Sequence, residues 1–386
     1  LTGGPGTGKT TILQALVAIL KAKKVRVQLT APTGRASRRM AETTSHFSQT
    51  VHRLLQFDPS AGGFTANESK PLSCDFVVMD EASMLDVRLA AALMRAIPAQ
   101  AHLLLVGDAD QLPSVGSGNV LKDLIDSGQI PVTRLQVTFR QKEDSGIVGT
   151  AHGILAGRTA CPTTVDDPSL LDPARDVHFV RALDPDACVD AVCRLCRDVL
   201  PRKLQLNSFH EVQVLAPLHR GIAGISNLND KLREAINPKG ATHVFGQTLF
   251  REGDKVIQTR NNYDKDVFNG DLGSITSVDT MAGSVEVDFD GRPVSFERLE
   301  VADLQPAYAI SVHKSQGSEY PVVVFPLLKQ HYMMLQRNLV YTGLTRAKRK
   351  VIFVGDPTAF AMAIRNDKTL ARRTDLIRKL EHVLSK

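Results

Sequence analysis

The chain has 386 residues, 43% of them hydrophobic, and its 47 lysines and arginines against 41 acidic residues give a net charge of +6. This length predicts two or three domains with sizeable cores. No stretch has the length and apolar content of a membrane span and no signal peptide is present, which argues against membrane-embedded and secreted proteins. The mild positive charge favours a polyanionic partner.

The first element is a glycine-rich loop, residues 3–10, with the sequence GGPGTGKT. Its glycines let the backbone curl so that successive N–H groups face a polyphosphate, while Lys9 reaches the terminal phosphates and the Thr10 hydroxyl binds magnesium. Residues 11–20 have helical periodicity and point a helix N-terminus at the same anion. The sequence therefore predicts a nucleoside triphosphate site. We expect its phosphate contacts at Gly3, Pro5, Gly6, Thr7, Gly8, Lys9, Thr10 and Thr11.

The strand that leads into such a loop is represented only by Leu1 and Thr2, and no initiator methionine precedes it. We therefore expect the chain to be a fragment of a longer protein. Any element that recognises the nucleotide base upstream of the loop lies beyond what this sequence predicts.

Strand and helix patterns alternate along most of the chain. In the first half, apolar strands are predicted over residues 25–31, 76–80 and 102–107, with a helix over 87–97. The second half predicts strands over 177–180, 212–216, 307–311, 322–326 and 350–355 and helices over 186–200 and 225–236. Such strands form parallel sheets whose carboxyl edges bind ligands. The predicted fold class is α/β, with two nucleotide-binding halves.

Two segments interrupt this alternation. Residues 246–304 contain short strands separated by the turns Asn269-Gly270, Ala282-Gly283 and Asp290-Gly291, which indicates a small antiparallel barrel inserted in the second half. The polar residues 56–73 indicate a smaller insertion, a hairpin or loop, in the first half.

The five cysteines do not indicate a disulfide framework in a chain of this length. Cys193 and Cys196 have the spacing of metal ligands, but together with Cys188 they lie in the helical pattern of residues 186–200, and no fourth ligand is near. We expect these thiols to be buried core residues.

Acidic and polar side chains follow two of the predicted strands. Asp80 and Glu81 come directly after an apolar strand, where one carboxylate holds magnesium and the other orients the attacking water. Gln111 follows the next strand and is a candidate sensor of the γ-phosphate. Arg140 and Arg346 lie outside the phosphate-loop fold, and each is a candidate arginine finger in a cleft between the two halves.

Eight motifs occur in the order typical of superfamily 1 helicases. They are PGTGKT (5–10), APTGRA (31–36), TVHRLL (50–55), DEAS (80–83), GDADQL (107–112), FRQ (139–141), AISVHKSQGSE (309–319) and YTGLTRA (341–347). The sequence resembles the RecD-like branch of this superfamily over nearly its whole length. The resemblance implies two RecA-like P-loop NTPase domains, with a small hairpin or loop insertion in the first and an SH3-like β-barrel insertion in the second.

The implied domains are residues 1–145 for the first RecA-like domain, with the insertion at 56–73, residues 146–245 and 305–386 for the second, and 246–304 for the barrel. The resemblance also assigns the site residues. At ATP and Mg²⁺ it places Lys9, Thr10, Asp80, Glu81, Gln111, Arg140, Gly317, Glu319 and Arg346. Along single-stranded DNA it places Pro32, Thr33, Arg35, His52, His219, Arg220, Asn269, Ser311 and His313. Arg35 stands where close relatives often carry lysine, which preserves the charge but changes the phosphate contact.

The function implied is an ATP- and Mg²⁺-dependent helicase that moves 5′→3′ on single-stranded DNA and unwinds duplexes, in DNA repair or recombination. Its expected partners are single-stranded DNA, forked or tailed duplexes and other repair proteins, in a cytoplasmic, nucleoid-associated setting of the bacterial type. Three alternatives stay open: a translocase that needs a partner to unwind, a regulatory ATPase subunit of a repair nuclease, and an RNA helicase, since no motif reads the 2′-hydroxyl.

Overall fold

The computed structural model describes residues 1–58, 60, 62–137, 146–239, 242–245, 248–367, 372 and 374–384. The chain divides into two compact units. The first comprises Leu1–Asp144 and Lys368–Lys386, and the second comprises Ser145–Asp367. Among the described helices, none combines the length and the apolar character that crossing a bilayer requires.

The first unit is built on a parallel sheet. The strands of this unit are β1 (Thr2–Gly3), β2 (Val27–Ala31), β3 (Ser48–Thr50), β4 (Phe57–Asp58), β5 (Gly63–Phe64), β6 (Phe76–Met79), β7 (His102–Leu105) and β8 (Arg134–Leu135). Its helices are α1 (Lys9–Ala22), α2 (Gly34–Thr44), α3 (Val51–Leu54), α4 (Val87–Ala96), α5 (Val120–Asp126) and, from the end of the chain, α12 (Leu376–Leu384). The sheet order is β3-β2-β6-β7, and β1 pairs with β8 and bridges to Gly107 beyond β7.

Strand β6 is apolar throughout because both faces of this sheet are covered. Val78 packs with Leu13 and Val17 of α1 on one face. Val77 and Met79 point the other way and pack with the cluster that includes Leu93 and Leu121. The hairpin β4–β5 lies within the insertion expected at residues 56–73.

The last helix, α12, belongs to the first unit. Its Leu376 and Leu380 pack against the core cluster that contains Val120, Leu121 and Leu124. Just before it, Arg372 Nη1 donates to the carbonyls of Gly116 and Gly118, both at 2.8 Å, and the Thr374 hydroxyl bonds to Asp123. The sequence resemblance assigns residues up to 386 to the second domain, whereas the partly buried leucines of α12 pack on α5 of the first unit.

The second unit contains a six-stranded parallel sheet of order β19-β11-β20-β21-β10-β9. Its strands are β9 (Thr164–Val165), β10 (Val177–Arg181), β11 (Val212–Ala216), β19 (Ala309–Ser311), β20 (Tyr320–Leu327) and β21 (Ala347–Gly355). Its helices are α6 (Gly146–Leu155), α7 (Pro185–Arg194), α8 (Leu200–Leu204), α9 (Ile225–Ile236), α10 (Arg337–Thr345) and α11 (Pro357–Arg365).

The helix expected over residues 186–200 is interrupted. A π-helical turn, Leu195–Val199, separates α7 from α8. Cys188 and Cys196 lie in the core of this unit, and Cys193 packs against it. Burial raises the pKa of the Cys188 thiol to about 12 and that of Cys193 to about 11. These thiols are therefore core residues, as expected.

An antiparallel sheet interrupts the second unit between α9 and β19. Its order is β17-β16-β15-β14-β18, from β14 (Lys255–Gln258), β15 (Leu272–Asp279), β16 (Ser284–Asp288), β17 (Pro293–Phe296) and β18 (Leu304–Pro306). A hairpin of β12 (Thr242–Phe245) and β13 (Thr248–Arg251) precedes it. Asp290 and Gly291, with φ of 54° and 87°, form the turn between β16 and β17 that their sequence predicts.

The barrel is tied to the second unit through a buried carboxylate. Asp254 accepts hydrogen bonds from the Tyr308 hydroxyl and from Asn237 Nδ2, both at 2.9 Å. Its other oxygen accepts from the Arg251 N–H at 2.8 Å. These hydrogen bonds fix the barrel to the residues that precede and follow it in the second unit. The exact domain boundaries stay a prediction.

Candidate functional site

The phosphate-binding loop connects β1 to α1. Gly6 and Gly8 have φ of 75° and 84°, a left-handed conformation that glycine adopts without strain. A Cβ on Gly3 would lie 2.7 Å from Thr7 Oγ1 and 2.8 Å from the Leu135 carbonyl, so that position has no room for a side chain. The loop geometry therefore favours glycine at positions 3, 6 and 8, as the sequence pattern of a phosphate-binding loop predicts.

Lys9 is held by the loop itself. Its Nζ donates to the Gly3 carbonyl at 2.6 Å and to the Gly4 carbonyl at 2.8 Å, and Thr7 Oγ1 donates to the Gly4 carbonyl at 2.8 Å. Thr10 and Thr11 follow at the exposed start of α1. The ammonium group is thus positioned within the loop, where phosphate oxygens would offer it charged acceptors.

Asp80 and Glu81 follow β6 at the carboxyl edge of the same sheet. Burial, and then the charge of Glu81, raise the pKa of Asp80 to about 6 from its ordinary 3.8. Glu81 has φ of 50°, and its N–H donates to Asp80 Oδ1 at 2.9 Å. A left-handed glutamate costs conformational energy, and such residues cluster at functional sites. The two carboxylates therefore have different surroundings, as two different roles require.

Gln111 lies beside Asp108 after β7. Its Nε2 donates to Asp108 Oδ2 at 3.1 Å, and its Oε1 is buried with no hydrogen-bond partner among the described residues. Asp108 is 2% exposed, and burial raises its pKa while the charge of Lys9 opposes this. Asp108 was not among the predicted site residues, although the motif that contains it provided the signal.

The predicted residues of the second unit meet where β20 and β21 begin. Arg346 is 4% exposed, and its guanidinium donates to the carbonyls of Ser318 at 3.2 Å and Thr342 at 3.3 Å. Glu319 lies 3.7 Å from Lys348, and Gly317 has φ of 73°. The structure thus brings Gly317, Glu319 and Arg346 together, whereas Arg140 falls outside the described residues.

The predicted DNA contacts of the first unit lie after neighbouring strands. Pro32 and Thr33 follow β2, and Thr33 Oγ1 caps α2 by accepting from the Ala36 N–H at 3.3 Å. Arg35, in the first turn of α2, is half-buried. His52 is exposed on α3, and its ring centroid lies 5.9 and 5.7 Å from those of Phe57 and Phe64 in the hairpin β4–β5. These four residues share the carboxyl edge that carries Asp80.

The predicted contacts of the second unit also share one edge. His219 and Arg220 are exposed after β11, and Ser311 ends the adjacent parallel strand β19, with His313 in the turn that follows. Asn269 lies apart from them, exposed in a barrel loop, where its N–H donates to Asn261 Oδ1 at 2.9 Å. Four of these five residues are therefore brought together.

Three family models match the chain. They are an AAA domain over residues 1–117, an ATP-dependent RecD-like DNA helicase SH3 domain over 228–289, and a UvrD-like helicase C-terminal domain over 306–354. The RecBCD enzyme subunit RecD of Mycobacterium tuberculosis is 31% identical over 94% of this chain and 68% of its own length. The chain belongs to the RecD-like helicase family. The resemblance inferred from the motifs is therefore confirmed.

A further RecD-like relative is the ATP-dependent RecD2 DNA helicase of Deinococcus radiodurans. It is 36% identical over 98% of this chain, which spans 50% of that protein. The Pif1 helicase of Candida albicans matches in structure with a TM-score of 0.55 and 19% identity, over 99% of this chain and 94% of that one. A Bacteroides Pif1 in complex with ADP-AlF3 and single-stranded DNA matches with a TM-score of 0.53 and 18% identity, over 91% and 87%. These structures confirm the predicted fold class of two RecA-like domains, and the SH3 match confirms the barrel.

Proposed function

We propose that this RecD-like chain is the motor core of an ATP- and Mg²⁺-dependent DNA helicase that moves 5′→3′ along single-stranded DNA. One observation carries the proposal. The phosphate loop, the Asp80–Glu81 pair and Gln111 all follow strands that end at one edge of the first sheet. Such an edge can bind the nucleotide and activate water at the same place.

Each residue predicted to act on ATP has a proposed chemical task. Lys9 neutralises charge on the terminal phosphates, and Glu81 accepts the proton of the attacking water. Arg346, together with Arg140, is proposed to stabilise the charge of the transferring phosphoryl group. The buried environment of Arg346 keeps water from competing for its guanidinium.

A magnesium ion fits the oxygen atoms available here. The hydroxyl of Thr10 and the carboxylate of Asp80 are hard oxygen ligands of the kind that Mg²⁺ prefers. Desolvation, and then the charge of Glu81, raise the pKa of Asp80, and the charges of Lys9 and Arg39 oppose this rise only in part. Magnesium held by Thr10 and Asp80 would supply positive charge there and neutralise charge on the phosphates of a bound nucleotide.

Single-stranded DNA is the proposed track. His219, Arg220, Ser311 and His313 share one sheet edge in the second unit, as Pro32, Thr33, Arg35 and His52 do in the first. Aromatic residues make up 5% of the chain and tryptophan is absent, which favours gripping of the backbone over continuous base stacking. The Bacteroides Pif1 of similar fold was crystallised in complex with single-stranded DNA, which supports this proposal.

A second candidate is a motor that unwinds only within a larger complex. It is favoured by the relatives that are named as RecD subunits of the RecBCD enzyme. In that case other repair proteins would be required partners, and the isolated chain would hydrolyse ATP on DNA without separating strands.

Strand displacement by the purified protein tests the proposal. Duplexes with a 5′ tail, a 3′ tail or no tail are compared, in DNA and in RNA, with ATP and with or without Mg²⁺. The proposal expects ATP-dependent displacement of the 5′-tailed DNA duplex. Hydrolysis that DNA stimulates without displacement would favour the subunit, and displacement restricted to RNA would favour an RNA helicase.

A further inference from the structure

The buried side chains of Asp108 and Gln111 are hydrogen-bonded to each other, and one polar atom of this pair, Gln111 Oε1, has no partner among the described residues. Gln111 is 7% exposed and Asp108 is 2% exposed. One oxygen of Asp108 accepts from the Asp110 N–H at 3.1 Å, and the other accepts from Gln111 Nε2 at 3.1 Å. The carboxylate can only accept, so it requires the NH₂ group of the Gln111 amide to face it. The amide oxygen must then point the other way.

That amide oxygen is the atom that needs a partner. Gln111 Oε1 is buried and has none among the described residues. It cannot hydrogen-bond to a phosphate oxygen, because both atoms are acceptors, but it can accept from a water molecule. A buried acceptor without a donor is costly, so its retention beside the ATP site points to a ligand that brings a proton.

We propose that Asp108 is a positioning residue, which fixes the amide of Gln111 so that Oε1 accepts from the water that attacks ATP. This inference rests on the proposed ATP hydrolysis and specifies how that water is held. The water has two protons, and the site offers two acceptors for them, Glu81 and Gln111 Oε1. Two acceptors leave a lone pair of the water free to point at the γ-phosphorus.

The hydrolytic step then balances as follows. The water oxygen forms a bond to the γ-phosphorus, and the bond from that phosphorus to the bridging oxygen breaks. ADP leaves with the electron pair, and Glu81 takes one water proton. The second proton, held by Gln111 Oε1, stays on the product phosphate. Asp108 exchanges no proton and acts only through the orientation of the amide.

The proposal predicts what Asp108→Asn does. Asparagine has a single acceptor oxygen, which the Asp110 N–H engages, so its NH₂ group faces Gln111. The Gln111 amide then rotates to accept from it and turns its own NH₂ group toward the water. A donor in that position repels a water proton, so hydrolysis slows while the phosphate loop still binds ATP.

A double-mutant cycle tests this inference. The variants are Asp108→Asn, Gln111→Glu and their combination, with Asp110→Asn as control because that side chain is exposed. DNA-stimulated kcat, the KM for ATP and the melting temperature are measured for each. We expect each single variant to lose about tenfold or more in kcat, with KM within about threefold of the parent. In Gln111→Glu we expect kcat to fall because the introduced carboxylate faces the carboxylate of Asp108.

The combination should recover kcat above both single variants. In it the introduced asparagine amide donates to the introduced glutamate, whose second oxygen is again an acceptor for the water. The Asp110→Asn control should match the parent. An unchanged kcat in Asp108→Asn, or a double variant no faster than the faster single variant at matched stability, would overturn the inference. A parent protein without DNA-stimulated hydrolysis would instead overturn the proposed function.

Discussion

At the scale of single residues, Asp80 and Glu81 are adjacent in sequence but differ in surroundings. The left-handed backbone at Glu81, with φ of 50°, turns the chain directly after β6. Asp80 is half-buried directly before this turn, and desolvation together with the charge of Glu81 raises its pKa to about 6. The backbone turn at Glu81 thus separates the two adjacent carboxylates, which are proposed to take different roles, Asp80 as a magnesium ligand and Glu81 as the base.

Replacement of the proposed base separates binding from hydrolysis. In Glu81→Gln, the ATP affinity should stay within about threefold, while DNA-stimulated kcat falls by ~10² or more, because the proton acceptor is lost. Nucleotide binding and steady-state hydrolysis measure the two quantities. Glu68→Gln, a surface control whose side chain is 77% exposed, should behave as the parent does. Near-normal turnover in Glu81→Gln would remove Glu81 from this role.

Asp80 should make the metal-free protein less stable at neutral pH. Its folded pKa of about 6 exceeds the ordinary 3.8, so ionisation is penalised in the folded state above pH 6 and the penalty fades as the pH falls toward 3.8. Asp80→Asn should therefore raise the stability of the first unit in EDTA at pH 7.5 by about 1–3 kcal/mol. Melting temperatures from pH 8 down to pH 5 measure the difference, which should shrink below pH 6. Equal melting at pH 7.5 would contradict the raised pKa of Asp80.

At the scale of elements, the C-terminal helix α12 is part of the first unit although its sequence follows the second. Leu376 and Leu380 cover the apolar side of α5. Leu380→Ala should lower the stability of the first unit by about 1–2 kcal/mol, since the side chain is only partly buried. Val383→Ala is the matched control, because Val383 is 65% exposed. Equal melting temperatures for the two variants would show that α12 does not stabilise this core.

The barrel loop that connects β14 to β15 contains exposed side chains and one lysine that is held by contacts within the barrel. Tyr263 is 48% exposed and Asn269 is exposed, whereas Lys265 bonds to Glu300 and lies over the Phe296 ring, 5.3 Å from its centroid. The double variant Tyr263→Ala, Asn269→Ala should weaken single-stranded DNA binding about fivefold or more and preserve basal hydrolysis. Lys265→Ala should instead lower the melting temperature. Unchanged DNA affinity in the double variant would remove this loop from the proposed track.

The sequence predicted elements wherever local pattern and chemistry agree. Motif residues at strand ends, such as Asp80, and turns such as Asp290-Gly291 could be located because strand periodicity and positive φ are local properties. The position of α12 could not, since its apolar stripe fits any apolar surface and only the tertiary fold selects α5. The internal contacts of Lys265 were also beyond prediction, because a loop lysine is normally solvated.

At the scale of the whole molecule, two RecA-like domains and an SH3-like barrel are built from a chain that spans about half of its Deinococcus radiodurans relative. Each sheet offers polar residues at one edge, and the first combines them with the phosphate loop. We propose that the protein uses ATP to change its grip on a strand, because binding and hydrolysis favour different conformations of such motors.

Unwinding of tailed DNA duplexes by the isolated chain tests the central claim most directly. With ATP and Mg²⁺, the protein should separate a duplex that carries a 5′ single-stranded tail and leave blunt and 3′-tailed duplexes intact. Glu81→Gln should bind the same tail without separating the strands. Efficient unwinding from a 3′ tail, or no unwinding by a protein that binds both ATP and DNA, would contradict the proposal of an autonomous 5′→3′ helicase.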